Sequence, residues 1–280
     1  MNKETLERLR NAKGFVFDMD GTLVLGDKGN KGLRVLPGAL EFLNLLDERG
    51  VPFMVFTNGT VRTAGQYVPV LRGLGFPMNQ QRMLTPSSVA ADIFVRRRFK
   101  RVLVLGVEGV WRPLQDAGIE VFLPSDPLPE DVDAVYVGWY REFGIDDLEA
   151  ACQAVWRGAK LFAASLAPFY ATAGGRALGT SRAISAVVTS LTGARASVVG
   201  KPSLNALRTA GRRLGVPLKE LAVIGDDPAL EVPMAHSGRA LAVAVTSGLA
   251  GRDAFDHADT AKRPHITASG VDELLALYKN

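Results

Sequence analysis

Phe15-Val16-Phe17-Asp18-Met19-Asp20-Gly21-Thr22 decides how this 280-residue chain is read. An apolar run of strand type stops abruptly at two carboxylates one residue apart, and a glycine follows. Open parallel sheets bind ligands beyond the carboxyl ends of their strands, so the position suits a site. Side chains alternate along a strand, but past its end Gly21 lets the backbone curl until both acids face one pocket. Two close carboxylates repel each other, so the pair implies either a bound metal or an acid/base division of labour. The plain alternative is an Asx-type turn at a strand end.

The same punctuation recurs further along. Val55-Phe56-Thr57-Asn58-Gly59 ends an apolar run in a hydroxyl, an amide and a flexible backbone. These donors suit a phosphate oxygen and are also ordinary turn chemistry. Val198-Val199-Gly200-Lys201-Pro202 ends in a lone lysine, which either neutralises a phosphoryl group or is solvated in a loop. It is not a Walker A loop, because Pro202 stands where a Ser or Thr would bind magnesium and Gly193 is too far upstream of Gly200. Val223-Ile224-Gly225-Asp226-Asp227-Pro228 carries acids, with Glu231 in the segment that follows. Hard oxygen ligands at a strand end suit Mg²⁺, and Asp226 is the better ligand because Asp227 before Pro228 is placed to cap a helix.

Between these points, short Val/Ile/Leu/Phe runs alternate with longer amphipathic stretches, as in βα units around a mostly parallel sheet. Strands are expected at 14–17, 53–56, 102–105, 134–137, 161–164, 197–199, 221–224 and 241–245. Helices are expected at 38–49, 63–74, 87–97, 108–117, 147–156, 181–191, 203–214 and 271–278. The fold class is α/β. No repeat or serine-rich linker is visible, so a second domain must be inserted, with seams near Arg98 to Arg101 and Ala196 to Val198.

Composition narrows the classes. With 47% apolar and 22% charged residues the chain reads as globular rather than disordered or fibrous. The longest stretch free of charged, amide and histidine side chains, Leu161 to Gly175, is broken by Pro168 and Gly174 and is shorter than the ~20 residues of a membrane span, so no membrane association is expected. A net charge of +4 does not suggest a nucleic-acid partner, and the run Arg96 to Arg101 reads as the cationic end of a helix. A single cysteine, Cys152, suits a reducing compartment, and Met1 to Lys13 has no apolar signal core, so the expected location is the cytoplasm.

Four strand ends carrying an acid pair, a hydroxyl, a lysine and acids, in that order, resemble the haloacid dehalogenase superfamily of aspartate-nucleophile phosphotransferases. The wide gap from Thr57 to Lys201, Gly-Lys-Pro-Ser at 200–203 and Val137-Gly138-Trp139 before an acidic helix resemble its NagD-type branch, which includes p-nitrophenyl, pyridoxal and phosphoglycolate phosphatases. The resemblance implies a Rossmann-like core of residues 1–97 and 198–280 with an α/β cap inserted at 98–197. It implies that Asp18 attacks phosphorus while Asp20 protonates the leaving oxygen and then activates water. It implies too that Thr57, with backbone N–H groups near Asn58 and Gly59, orients the phosphoryl oxygens and that Lys201 offsets their charge. The implied metal ligands are the Asp18 side chain, the Asp20 carbonyl, Asp226 and, directly or through water, Glu231. Gly59-Thr60 stands where the branch has Asn-Ser, and Glu231 where Asp is common.

The reading is therefore a Mg²⁺-dependent phosphatase acting on a small phosphorylated metabolite. The alternatives are transfer of the phosphoryl group to an alcohol, a non-catalytic phosphometabolite-binding module, and a protein that dimerises through the cap. Tyr140, Arg141 and Arg176, with Phe169 and Tyr170, are the candidate substrate-facing residues of the insert. His236, His257 and His265 show no metal spacing and are assigned to packing or surface. Asp146 and Glu149 are assigned a capping box, and Trp111, Trp139 and Trp156 to the core of the insert.

Overall fold

Gly14–Asp18 lies in the middle of a six-stranded, wholly parallel sheet in the computed structural model, which describes residues 3–26, 32–172, 175–248, 250–256 and 263–280. From one edge to the other the strands are Ile266–Ala268, Leu241–Val245, Leu221–Gly225, Gly14–Asp18, Phe53–Phe56 and Met83–Leu84. The chain leaves the central strand towards one edge and later returns on its other side. That reversal leaves a crevice at the carboxyl ends of the central strands. Every residue of Gly14–Asp18, Phe53–Phe56, Leu221–Gly225 and Leu241–Val245 is buried, which is why these segments read as continuous apolar runs rather than as alternations. Phe15 and Phe17 stack at 5.9 Å and meet Phe42 of helix Ala39–Glu48 edge-on at 5.6 and 5.5 Å. Tyr278 of helix Val271–Lys279 closes the cluster 5.2 Å from Phe42. Burial of each such ring contributes about 1.5–3 kcal/mol, enough to hold two sequence-distant helices on one sheet face.

The chain divides into two compact units, one of Met1–Thr57, Tyr67–Leu84 and Pro202–Asn280, the other of Asn58–Gln66 and Thr85–Lys201. The second is an α/β unit of its own, inserted in the sequence of the first. Its five parallel strands run in the order Ser197–Val198, Lys160–Ala163, Ala134–Val137, Arg101–Leu105, Glu120–Phe122. Helices Ile145–Trp156 and Thr180–Thr192 bring Ala151, Cys152, Ile184 and Val188 onto Leu103, Leu105, Val135, Val137 and Leu161. Helix Pro86–Arg96, with Pro86 at its first position and Thr85 accepting the Ser88 N–H at 3.2 Å, brings Phe94 to within 4.8 Å of the Phe162 ring. This helix belongs to the second unit by contact, whereas the sequence seam at residue 98 leaves it with the first.

Several local expectations are corrected. Ser197–Val198 pairs with Phe162–Ala163, so the strand before Lys201 is an edge of the second sheet and not a member of the first. So short an apolar run carries no mark of which sheet it joins. The cap is made by Asp147 alone, whose carboxylate accepts the Gly144 N–H at 2.7 Å, because the helix begins at Ile145 and not at Asp147. Trp156, the last residue of that helix, is 64% exposed, and Trp111 and Trp139 are only half-buried, so none of the three forms the core of the insert. Asp227 caps a turn, with its Oδ1 accepting the Ala229 N–H at 2.7 Å, and the helix proper starts at Glu231. Met83–Leu84, Glu120–Phe122 and Ile266–Ala268 are too short to show a pattern, and helix Glu231–Ser237 hides behind its internal Pro233. His236 bonds the Arg263 carbonyl at 2.7 Å and His265 accepts the Ala242 N–H at 3.0 Å, while His257 lies outside the described residues. Arg96 ends its helix, and the Arg97 guanidinium lies over the Phe162 ring at 5.3 Å. Among the described residues no helix is long and apolar enough to cross a membrane.

Candidate active site

The acid pair leaves the central strand through a tight turn. The Leu23 and Val24 N–H groups both donate to the Met19 carbonyl at 3.0 Å, and the Gly21 N–H donates to Val24 O at 2.8 Å. Gly21 sits at φ +87°, a region that costs an L side chain about 1–2 kcal/mol, so the turn selects glycine. The turn gives the two acids different surroundings. Asp18 is buried, and its Oδ2 accepts the Thr22 hydroxyl at 3.1 Å. Asp20 is half-buried, and its Oδ2 accepts the Thr57 hydroxyl at 3.1 Å. Thr57 follows the neighbouring strand, where Phe56 stands opposite Asp18, so adjacent strand ends bring hydroxyl and acid together.

On the other side of the central strand, Leu221–Gly225 delivers Asp226, which is buried. A Cβ built on Gly21 would lie 2.3 Å from Asp226 Oδ2, and one built on Gly248 would lie 2.0 Å from it. The carboxylate thus packs against the backbone at Gly21 and Gly248, where a side chain would displace it. The Ser247 hydroxyl tethers this backbone by donating to Gly21 O at 2.8 Å. Glu231 is buried at the start of its helix, where its Oε2 accepts the Asp227 N–H at 3.2 Å. A Cβ on Gly225 would fall 2.1 Å from Glu231 Cγ, so this side chain is packed directly against the strand end.

The remaining candidates belong to the second unit. Asn58 donates from Nδ2 to the Lys201 carbonyl at 3.1 Å and accepts the Lys201 N–H on Oδ1 at 2.9 Å, and Gly59 follows in the same loop. Lys201 is 2% exposed. Tyr140 leans on the core of its unit, where burial and then the Asp147 carboxylate push its phenol above the ordinary value. Arg141 is exposed, with its guanidinium 5.8 Å from the Trp139 ring. The side chain of Arg176 lies outside the described residues.

Comparison with known proteins gives these two sets of residues a common context. Residues 15–120 match the family described as haloacid dehalogenase-like hydrolase, and residues 198–274 match one described as HAD-hydrolase-like. Chronophin of Rattus norvegicus is 30% identical over 238 residues, covering 81% of this chain and 74% of its own. The chain belongs to the haloacid dehalogenase-like hydrolases. The 5'-nucleotidase YutF of Bacillus subtilis is 27% identical over 232 residues, covering 80% of this chain and 83% of its own. The solved 4-nitrophenylphosphatase of Thermotoga maritima superposes with a TM-score of 0.85 at 24% identity, covering 97% of this chain and 99% of its own. NagD of E. coli K-12 gives 0.81 at 23% identity over 94% and 98%. The chain is a phosphoric monoester hydrolase, and it shares the fold of NagD and of the 4-nitrophenylphosphatase. The non-catalytic binding module is thereby set aside.

Haloacid dehalogenase-like phosphatases generally use a divalent metal. Among the described residues no three His, Cys, Asp or Glu side chains gather as a metal cluster. That does not disagree with Mg²⁺, which takes one or two protein carboxylates and fills its octahedron with water and substrate oxygens. The buried Asp226 carboxylate, packed against Gly21 and Gly248 beside the turn that carries Asp18 and Asp20, fits so sparse a donor set. Sequence reasoning missed Thr22, Ser247 and Gly248 as residues of the site. Thr22 stands within the opening motif, and Ser247-Gly248 follows the apolar strand Leu241–Val245, so the strand-end rule extended to one more strand would have found them.

Proposed function

We propose that the chain is a Mg²⁺-dependent phosphatase that hydrolyses a small phosphate monoester through an aspartyl-phosphate on Asp18. The observation that carries this reading is the unequal holding of the two acids: Asp18 is buried and oriented by Thr22, Asp20 is half-buried and held by Thr57. A fixed, shielded carboxylate suits in-line attack on phosphorus, and a more accessible one suits proton exchange with leaving group and water. In the first step an Asp18 oxygen bonds to phosphorus, the ester bond breaks, and the departing alkoxide takes a proton from Asp20. In the second, Asp20 recovers a proton from water, whose oxygen displaces Asp18 and releases inorganic phosphate. Thr57 supplies a hydroxyl donor to the phosphoryl oxygens, joined in this reading by the Asn58 and Gly59 backbone. Lys201 supplies the cation that offsets phosphoryl charge. Asp18, the Asp20 carbonyl and Asp226, with Glu231 directly or through water, would hold Mg²⁺, which would supply positive charge to offset repulsion between carboxylate and phosphate.

The substrate is proposed to be a small phosphorylated metabolite, with Tyr140, Arg141 and Arg176 of the insert, acting as a cap, selecting the rest of it. The relatives' names set the panel: nucleoside 5'-monophosphates, sugar phosphates and 4-nitrophenyl phosphate. Release of inorganic phosphate is measured with Mg²⁺ and with chelator, for wild type and Asp18→Asn. The expected result is Mg²⁺-dependent turnover that the substitution abolishes. Turnover that survives either the chelator or Asp18→Asn overturns the mechanism. A cytoplasmic location is proposed from the lone, buried Cys152. A homodimer through the insert is proposed from the exposed Ile145, Trp156, Leu178 and Leu191, and a light-scattering mass decides it.

A further inference from the structure

We propose that Asn58 is a positioning residue for Lys201, and that its side chain is not itself a ligand of the phosphoryl group. The proposal rests on the reading of Lys201 as the cation that offsets phosphoryl charge. An asparagine side chain has one acceptor oxygen and an NH₂ donor, and a residue's backbone offers one donor and one acceptor. Here the two sets meet in both directions, Nδ2 to Lys201 O at 3.1 Å and Lys201 N to Oδ1 at 2.9 Å. One such bond fixes a distance, whereas two opposed bonds to a single residue also fix its rotation, and with it the direction in which the lysine stem departs.

The neighbourhood is shaped for this contact. A Cβ on Gly200 would lie 2.6 Å from Asn58 Oδ1, 2.4 Å from the Ala164 carbonyl and 3.1 Å from Pro86 Cγ. Three groups therefore converge where any side chain would block the amide. The Gly200 N–H in turn donates to Ala164 O at 3.0 Å, which ties the segment to the end of strand Lys160–Ala163. Lys201 itself is 2% exposed, so its flexible stem has a defined course only if its origin is held. Asn58 and Lys201 also stand where the chain passes from one unit to the other, after Thr57 and before Pro202. The amide thus fastens the lysine to the residue next to Thr57, the phosphate-facing hydroxyl of the proposed mechanism. No other common side chain matches: Asp lacks the donor, Ser cannot span both groups, and Gln adds a methylene of about 1.5 Å.

A double-substitution cycle tests this on the full chain with Mg²⁺, comparing wild type, Asn58→Ala, Lys201→Ala and the pair. Two quantities are read: kcat/KM for 4-nitrophenyl phosphate, and the calorimetric Kd for inorganic phosphate, which needs no turnover. Asn58→Ala is expected to lower kcat/KM by about 10²-fold, the scale of a misplacement near 1 Å, and to weaken phosphate binding. In the Lys201→Ala background the same substitution is expected to change both quantities less than twofold, since there is no lysine left to position. Asn58→Asp, which keeps size and acceptor but loses the donor, repeats the pattern with an unchanged melting temperature and guards against a folding artefact. Full multiplication of the two effects overturns the proposal and makes Asn58 an independent phosphate contact. If Lys201→Ala alone leaves both quantities unchanged, the role given to Lys201 fails first, and the positioning role falls with it.

Discussion

Thr57 donates its hydroxyl to Asp20 Oδ2 across 3.1 Å, linking the ends of two adjacent strands. A hydroxyl has a single proton to donate, so Thr57 cannot serve Asp20 and a phosphoryl oxygen at once. In the proposed mechanism, phosphate that takes this donor frees the acid for proton exchange. Thr57→Val is expected to raise KM and lower kcat together, by about 10–10² in kcat/KM, the worth of one hydrogen bond to a charged group. Thr57→Ser is expected to recover most of the loss. A Val variant with unchanged kinetics would show that the hydroxyl only braces the strand ends.

Two glycines around Asp226 separate strain from steric displacement. Gly21→Ala combines a left-handed φ of +87° with a Cβ placed 2.3 Å from Asp226 Oδ2, whereas Gly248→Ala places its Cβ 2.0 Å away with no left-handed backbone. Both are expected to raise the Mg²⁺ concentration for half-maximal phosphate release at least about tenfold, the equivalent of one lost favourable contact near 1.4 kcal/mol. Only Gly21→Ala is expected to lose a further 1–2 kcal/mol, approximately, of stability in urea titrations. An unchanged Mg²⁺ requirement in both variants would remove Asp226 from the proposed metal set.

The first sheet was legible because burial on both faces writes its main strands as uninterrupted apolar runs, and a charged or hydroxyl residue at such an end stands out. Asp18, Asp20, Thr57 and Asp226 became candidates in that way. The sheet to which a strand belongs was not legible: Ser197–Val198 pairs with Phe162–Ala163, and nothing in two residues announces that partner. The partner of an amide is equally invisible, since nothing near Asn58 in the sequence announces its two bonds to Lys201. Thr60 shows the same limit. Its meaning comes from Trp139, far away in sequence, and no local pattern records it.

Thr60 is buried, accepts the Trp139 N–H at 3.0 Å, and has its carbonyl where a Cβ on Gly109 would come within 2.4 Å. The hydroxyl thereby holds the segment that leads into Tyr140 and Arg141. Thr60→Val keeps the shape and leaves that N–H without its acceptor, at a cost of about 0.5–1.5 kcal/mol in urea titrations. Thr60→Ser is expected to match wild type. Equal losses in both variants would mean that the methyl group, and not the hydroxyl, matters.

His265 makes the stability of the first unit depend on pH. Burial first, then Arg8 and the adjacent His236, hold its imidazole below the ordinary 6.5, and the Ala242 N–H donates to Nδ1 at 3.0 Å. Arg263 faces the pair through its carbonyl, bonded to His236. In the unfolded chain His265 takes its proton near 6.5, while the folded chain takes it only at lower pH. Between these values the unfolded state carries the extra proton, so stability rises with pH through that window. The contribution is whole above 6.5 and declines as pH falls towards the folded value, by at most about 1.4 kcal/mol per pH unit. His265→Asn retains an acceptor for Ala242 without titrating. Urea midpoints at pH 7.5 and pH 5.5 are expected to differ more for wild type than for His265→Asn, because only the wild type loses this term on acidification. Equal differences would transfer the pH dependence away from His265.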